Sequence, residues 1–386
     1  MTSRETGGNT WSREPLASAR RVVVKIGSAL LVDQHSGQLR TRWLDAMADD
    51  VARLRQRGQE VVLVSSGAVA VGRQYLRLGT GSLRLDEKQA AAAIGQIRLA
   101  HAYQATLARH NLTVAQVLLT LDDSENRRRY LNARSTLETL LRLGAVPVIN
   151  ENDTVATQEI RFGDNDRLAA RVAEMVVADA LVLLSDIDGL YTANPRTTED
   201  ARFIPEVREL TPEIEAMAGA PVSGVGSGGM VTKLIAARIC MGAGCRMAIA
   251  PGDPLNPLRV LEEGGRCTWF MPAAEPYTAR KRWIAGVLNT SGAVVVDDGA
   301  VVALHAGRSL LPAGVIGVEG DFERGDAVLV RDGSGHVIGK GLTAYSAHDA
   351  QRIRGRKTVD IEPILGYWYR DELIHRDDLA LDPSSG

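Results

Sequence analysis

Between Arg21 and Pro251 the chain alternates short, almost wholly apolar, β-branched runs with long helical stretches, and few architectures accept that alternation. The runs are Arg21–Ile26, Glu60–Val64, Thr113–Leu119, Ala145–Ile149, Leu181–Leu184 and Arg246–Ala250. Helical texture fills the gaps at Thr41–Arg57, Glu87–Arg109, Asn126–Leu143, Asn165–Val177 and Met230–Met241. A strand that is apolar on both faces must be covered on both, and strands joined through helices run parallel. The pattern therefore predicts an α/β fold: a three-layer αβα sandwich with a mostly parallel central sheet.

After Trp283 the texture changes. Short runs at Ala293–Val296, Val301–Ala303, Val315–Val318, Ala327–Val330 and Val337–Ile338 are separated by turn signals: Asp298-Gly299, Glu319-Gly320-Asp321 and Asp332-Gly333-Ser334-Gly335. Such spacing predicts a small β-barrel or sandwich. A length of 386 residues, against ~150 for a typical domain, also asks for two domains. The expected layout is a polar tail over 1–20, an α/β domain over 21–279 and a linker over 280–290 built on Arg280-Lys281-Arg282-Trp283. The small, mainly-β domain then occupies 291–369, and a C-terminal tail occupies 370–386.

Several function classes drop out. Hydrophobic residues make up 45% of the chain, enough for full cores without covalent staples. Cys240, Cys245 and Cys267 form no even disulfide framework, and neither they nor the scattered histidines have zinc-site spacing. A net charge of −2, from 45 basic and 47 acidic residues, shows no basic excess for nucleic acid. No apolar stretch approaches the ~20 residues of a membrane span, and Met1–Arg20 lacks the apolar core of a signal peptide. These features read as a cytoplasmic protein with no membrane partner.

Three motif matches fail on context. Gly224-Val225-Gly226-Ser227-Gly228-Gly229 has the form of a dinucleotide fingerprint but follows the helical Thr211–Ala220 instead of a strand. His375-Arg376-Asp377 has the form of a protein-kinase catalytic loop, but Asp382 stands where that loop needs Asn. Gly339-Lys340 is followed by Gly341, which breaks a P-loop.

Four junctions at the carboxyl ends of the expected strands carry chemistry, because ligands of open α/β sheets bind there. In Val24-Lys25-Ile26-Gly27-Ser28, a lysine inside an apolar strand either points at an anion or lies on the rim of an edge strand. Val64-Ser65-Ser66-Gly67-Ala68 admits a ligand to a helix N-terminus, or is simply a tight turn. Asn150-Glu151-Asn152-Asp153 and Gly163-Asp164-Asn165-Asp166 supply donors and acceptors for a zwitterion, or form Asx-turns and helix caps. Ser185-Asp186, joined by Gly226-Ser227-Gly228-Gly229-Met230-Val231-Thr232-Lys233, offers backbone amides and a lysine to phosphate, or a surface loop. Two lysines, two amide-rich turns and a carboxylate cluster together suit phosphoryl transfer between anions, which needs charge neutralisation and alignment.

These blocks, in this order and spacing, resemble the amino acid kinase family, in particular its members that phosphorylate glutamate. The tail, from Arg280-Lys281-Arg282-Trp283 to Ile364-Leu365-Gly366-Tyr367, is similar to the PUA domain that many of those members carry, so that the likeness spans about Arg21 to Asp378. The resemblance implies ATP-dependent phosphorylation of the γ-carboxylate of L-glutamate, with Mg²⁺, as the first step of proline biosynthesis. It also implies inhibition by proline and a homo-oligomer. Carried over residue by residue, Lys25 and Lys233 flank the transferring phosphoryl group and Asp166 holds both lysines. Ser66, Asp153 and Asn165 bind glutamate. Lys25, Ser185, Asp186, Ser227, Gly228, Gly229, Met230, Val231, Thr232 and Lys233 contact ATP, and no residue is assigned to a metal.

Two rivals remain. One is a kinase of the same family acting on aspartate, N-acetylglutamate or a nucleotide, against which the Asn150–Asp153 and Asp164–Asp166 clusters weigh. The other is an RNA-binding or RNA-modifying protein, supported only by Arg352, Arg354, Arg356 and Lys357, which a solvated helix face also explains. Against it, Ser291–Gly386 holds 10 basic and 15 acidic residues, a net of −5, whereas RNA binding draws on phosphate neutralisation.

Overall fold

The computed structural model describes residues 14–33, 36–79, 81–156, 165–218, 229–286 and 289–382. It divides into two units, one up to Pro276 and one from Tyr277. The first unit supplies strands β1 (Arg21–Ile26), β2 (Glu60–Ser65), β3 (Val114–Leu119), β4 (Val146–Glu151) and β5 (Ala180–Ser185). The two-residue strands β6 (Leu190–Tyr191) and β7 (Phe203–Ile204) pair as a small antiparallel ribbon. Then come β8 (Glu206–Val207), β9 (Arg246–Pro251) and β10 (Thr268–Phe270). Eight of these strands form one sheet in the order β3-β4-β2-β1-β5-β9-β10-β8, parallel except where β10 meets β9.

β1 sits at the centre, with β2 on one side and β5 on the other. The chain reverses its direction across the sheet at β1, and such a switch point opens a crevice at the strands' carboxyl ends. Alternate residues of β1 feed two cores. Val22, Val24 and Ile26 pack with Trp43, Met47, Leu99 and Tyr103 from helices Thr41–Gln56 and Leu85–Ala108. Val23 packs on the opposite face with Leu137, Leu168, Val172, Leu234 and Ala237, from helices Arg127–Arg142, Asn165–Met175 and Met230–Gly242. The two-residue period of a strand puts Lys25 on the same face as Val23. Because β1 is central, Lys25 is not on an edge-strand rim.

The helix Ala68–Tyr75 crosses the long helix Leu85–Ala108 almost in backbone contact. A Cβ on Gly95 would lie 1.8 Å from Ala68 O, and one on Gly72 would lie 1.7 Å from Ala91 O. Only glycine fits at either place.

In the second unit, β11 (Gly292–Val296), β12 (Val315–Gly320), β13 (Ala327–Arg331), β14 (Val337–Leu342) and β15 (Leu379–Leu381) form a sheet in the order β12-β11-β13-β14-β15. Val294, Phe322, Val330, Ile338, Tyr345 and Ile353 fill its core.

Five features differ from the sequence reading. Val301–Ala303 is not a strand but part of the helix Asp298–His305, because Asp297 caps it by accepting from Ala300 N and so takes Asp298-Gly299 into the first turn. Arg280–Trp283, at the expected linker, lies in the helix Pro276–Gly286, which Arg280 ties to buried Asp378. The expected tail over 370–386 contributes β15, and Leu373 and Ile374 are buried, since three apolar residues suffice for an edge strand when β14 offers its ladder. Within the expected N-terminal tail, Glu14–Ala17 is helical with Leu16 fully buried, held by Gln59 donating to Leu16 O and Ala19 O. Finally, the helix bearing Arg352 ends at Ile353, so Arg354, Arg356 and Lys357 lie beyond it, all exposed.

Replacing Gly95 by Ala drives its methyl into the Ala68 carbonyl, and the helices must separate. Overpacking of this kind costs about 1–3 kcal/mol. The urea midpoint should fall with little change in slope. An unchanged midpoint would show that the crossing opens without cost.

Candidate active site

The site assembles where β1, β2, β4 and β5 end. Lys25 is the fifth residue of β1, and Asp166 and Lys233 lie in the first turns of helices Asn165–Met175 and Met230–Gly242, the two that pack on that face. Asp166 has no solvent exposure. Its Oδ1 lies 2.6 Å from Lys25 Nζ and its Oδ2 2.9 Å from Lys233 Nζ. Thr232 Oγ1 also donates to Oδ2 at 3.3 Å. Burial pushes the Asp166 carboxyl up, but the two ammonium groups outweigh it and hold the carboxyl below its ordinary value. One carboxylate bridging two lysines gathers two ammonium groups in a nearly dry place, which suits a transferring phosphoryl group.

On one side lies the nucleotide-type half. Gly229 starts the helix Met230–Gly242 with extended backbone and no side-chain cap, so its own residue does not compete for the first-turn amides of Met230, Val231 and Thr232. Ser185 ends β5, its Oγ 3.2 Å from Asp186 Oδ1, and its carbonyl accepts from Gly252 N. Asp186 is exposed and pairs with Arg196 at 3.3 Å. Ser227 and Gly228 lie outside the described residues, as do Gly163 and Asp164.

On the other side, Gly67 adopts φ 96°, a left-handed turn that swings β2 into the helix Ala68–Tyr75 and leaves Ser65 and Ser66 at the sheet's end. Asn165 docks there. Its Nδ2 lies 2.7 Å from Ser65 O, 2.8 Å from Ser66 Oγ and 2.9 Å from Asn150 Oδ1. The structure thus joins Ser66 and Asn165 directly, while half-buried Asp153 sits in the turn after β4. The side chains of Asn165 and Asp166 are turned to the site, which decides against a helix-cap role as their main one.

Sequence reasoning assigned no role to Gln96 or Tyr103 and none of its own to Asn150. All three are buried polar residues of this half: Asn150 Nδ2 donates to Gln96 Oε1 at 2.8 Å, and Tyr103 OH lies 3.0 Å from Ser65 Oγ. The available signal was the seven-residue spacing of Gln96 and Tyr103 inside the helix Leu85–Ala108.

The amino acid kinase family model matches residues 20–251. The chain belongs to the amino acid kinase family. The PUA domain model matches residues 292–365, within the second unit. A glutamate 5-kinase of Paramagnetospirillum magneticum is 70% identical over 368 residues, 95% of this chain and 99% of that protein. One of Rhodospirillum rubrum is 66% identical over 360 residues, 93% of this chain and 96% of that one. One of Agrobacterium fabrum is 56% identical over 370 residues, with 96% and 95% covered. The mostly parallel sandwich and the β-rich second unit expected from the sequence are the folds these matches name.

In this kinase, Asp166→Asn would remove the carboxylate that two buried ammonium groups share, at a cost of about 3–5 kcal/mol. The sign of the pH dependence follows from the lowered carboxyl. Its stabilisation is fully present above the unfolded value of about 3.9 and is lost as pH falls through the lower folded value. Urea unfolding should show a steady gap between wild type and D166N from about pH 5 to 6.5, narrowing below about pH 4 as the carboxyl is protonated. A gap already closed at pH 5 would contradict the charge assignment.

Proposed function

We infer that this kinase transfers the γ-phosphoryl group of ATP to the γ-carboxylate of L-glutamate, giving L-glutamyl 5-phosphate and ADP, the first step of proline biosynthesis. The observation that carries this reading is the buried Lys25–Asp166–Lys233 cluster, at 2.6 and 2.9 Å, set between an amide-rich helix start and a polar acceptor pocket. The relatives named glutamate 5-kinase select the acceptor.

The roles follow from chemistry. A glutamate side chain is ionised at neutral pH, so its oxygen attacks the γ-phosphorus without a general base while the bond to the ADP oxygen breaks. Lys25 and Lys233 offset the repulsion between the two anions, and Asp166 keeps the lysines in place between turns. Ser66 and Asn165 hold the substrate's α-carboxylate, and Asp153 pairs with its ammonium group. Ser185, Asp186 and the segment from Ser227 to Lys233 take ATP. Among the described residues no three His, Cys, Asp or Glu side chains gather as a metal site. A Mg²⁺ ion held through ATP phosphates and water needs no such cage. Inhibition by proline and a homo-oligomer belong to the same reading, through the family alone.

ADP release with hydroxylamine present, which traps an acyl phosphate as hydroxamate, tests the reaction directly. Lys233→Ala should lower kcat about 10²–10³-fold or more, with a smaller change in either KM. A wild-type kcat in that variant would remove Lys233 from the chemistry. Asp153→Ala should raise the KM for glutamate far more than that for ATP. Equal changes would place Asp153 outside the acceptor pocket.

A further inference from the structure

Gln89, Gln96 and Tyr103 stand seven residues apart on the helix Leu85–Ala108, in one line along its surface. Each reaches off the helix to the carboxyl end of a strand or to the turn beyond it. Gln89 Nε2 donates to Ala156 O, beyond β4, at 3.4 Å. Gln96 Oε1 accepts from Asn150 Nδ2, near the end of β4, at 2.8 Å. Tyr103 OH meets Ser65 Oγ, at the end of β2, at 3.0 Å. Gln96 and Tyr103 are buried beside Leu99 and Leu107, where aliphatic side chains would cost nothing in desolvation. Burial pushes the Tyr103 hydroxyl well above its ordinary value, so it stays a neutral partner of Ser65.

The bond to Gln96 has a direction. Asn150 Oδ1 already accepts from Asn165 Nδ2 and from Glu151 N, each at 2.9 Å. Reversing the Asn150 amide would set its NH2 against both of these donors. Gln96, by presenting an acceptor, holds the amide the right way round, and with it the run from Asn150 through Asn165 to Ser66. The stripe's hydrogen bonds go to the carboxyl ends of β2 and β4 and to Ala156 beyond β4, and none of these three goes to Lys25, Asp166, Lys233 or Ser185.

We propose that this stripe is the positioning frame of the acceptor pocket, with Gln96 as a positioning residue for glutamate that acts through Asn150 and Asn165. Tyr103 does the same for Ser65 and Ser66. The inference rests on the reading above that Ser66 and Asn165 hold glutamate.

The test is steady-state hydroxamate formation by the full chain, varying glutamate and ATP separately, for wild type, Gln96→Met, Gln96→Glu and Tyr103→Phe. Gln96→Met keeps the volume and loses the acceptor. It should raise the KM for glutamate about 10–100-fold, the usual scale for losing an outer-shell partner, with the KM for ATP within about twofold. Gln96→Glu restores an acceptor and should return the KM for glutamate toward wild type. A merely structural role would instead lower the urea midpoint and shift both KM values together. An unchanged KM for glutamate in Gln96→Met, or an equal rise for ATP, overturns the proposal. Should Gln96→Met fail to fold, Tyr103→Phe decides, since it removes one hydroxyl: a selective rise for glutamate supports the frame, and no rise overturns it. If wild type forms no hydroxamate from glutamate, the acceptor reading itself fails and takes this inference with it. Normal wild-type activity with unaltered variants defeats the inference alone.

Discussion

A carboxylate without solvent exposure survives in this fold only because two ammonium groups touch it, and the site depends on that contact. Asp166 links three pieces of chain that are distant in sequence: the end of β1, the start of helix Asn165–Met175 and the first turn of helix Met230–Gly242. Desolvation of the carboxylate alone would be prohibitive, and so would two buried lysines without it. The cluster therefore fixes where both helices begin relative to the central strand. Its two ammonium groups are held in place before any anion arrives, so little reorganisation is needed at the moment of transfer.

The two halves of the site are built differently. The side proposed for ATP relies on backbone: an extended glycine start to a helix without a side-chain cap, and the end of β5. Such a surface suits phosphate, which presents many equivalent oxygens. The acceptor side relies on side-chain amides and hydroxyls in a connected network from Gln96 to Ser66, with defined donor and acceptor ends. A directional network discriminates among small zwitterions, because a wrong substrate leaves buried polar groups unpaired. The glycine crossing of Gly72 and Gly95 brings the two helices that flank this network into backbone contact, which holds the Ser65–Ser66 turn against the stripe.

Much of this was legible in the sequence, for identifiable reasons. Strands apolar on both faces and separated by helical stretches leave few alternatives to a covered parallel sheet, and Lys25 stood out as the one charge inside β1 after its first residue. Glycine- and amide-rich junctions marked the binding edge. Val301–Ala303 misled because a β-branched run of three fits a strand or a helix, and the Asp297 cap that decides it is a local hydrogen bond. β15 was missed because its stability comes from pairing with β14 and not from its own three residues. Gln96 and Tyr103 were missed because a polar residue in a long helix looks like its solvated side until the packing shows otherwise.

The central claim is that Lys25 and Lys233 serve the transition state more than the bound ground state. The most direct measurement is calorimetric titration of wild type and Lys25→Ala with ATP alone, and with ADP plus aluminium fluoride in the presence of glutamate and Mg²⁺. The second mixture mimics the planar transferring group. Lys25→Ala should lose at least about tenfold more affinity for the mimic than for ATP, as differential binding requires. Equal losses for both would contradict it and leave the lysine cluster as a nucleotide clamp.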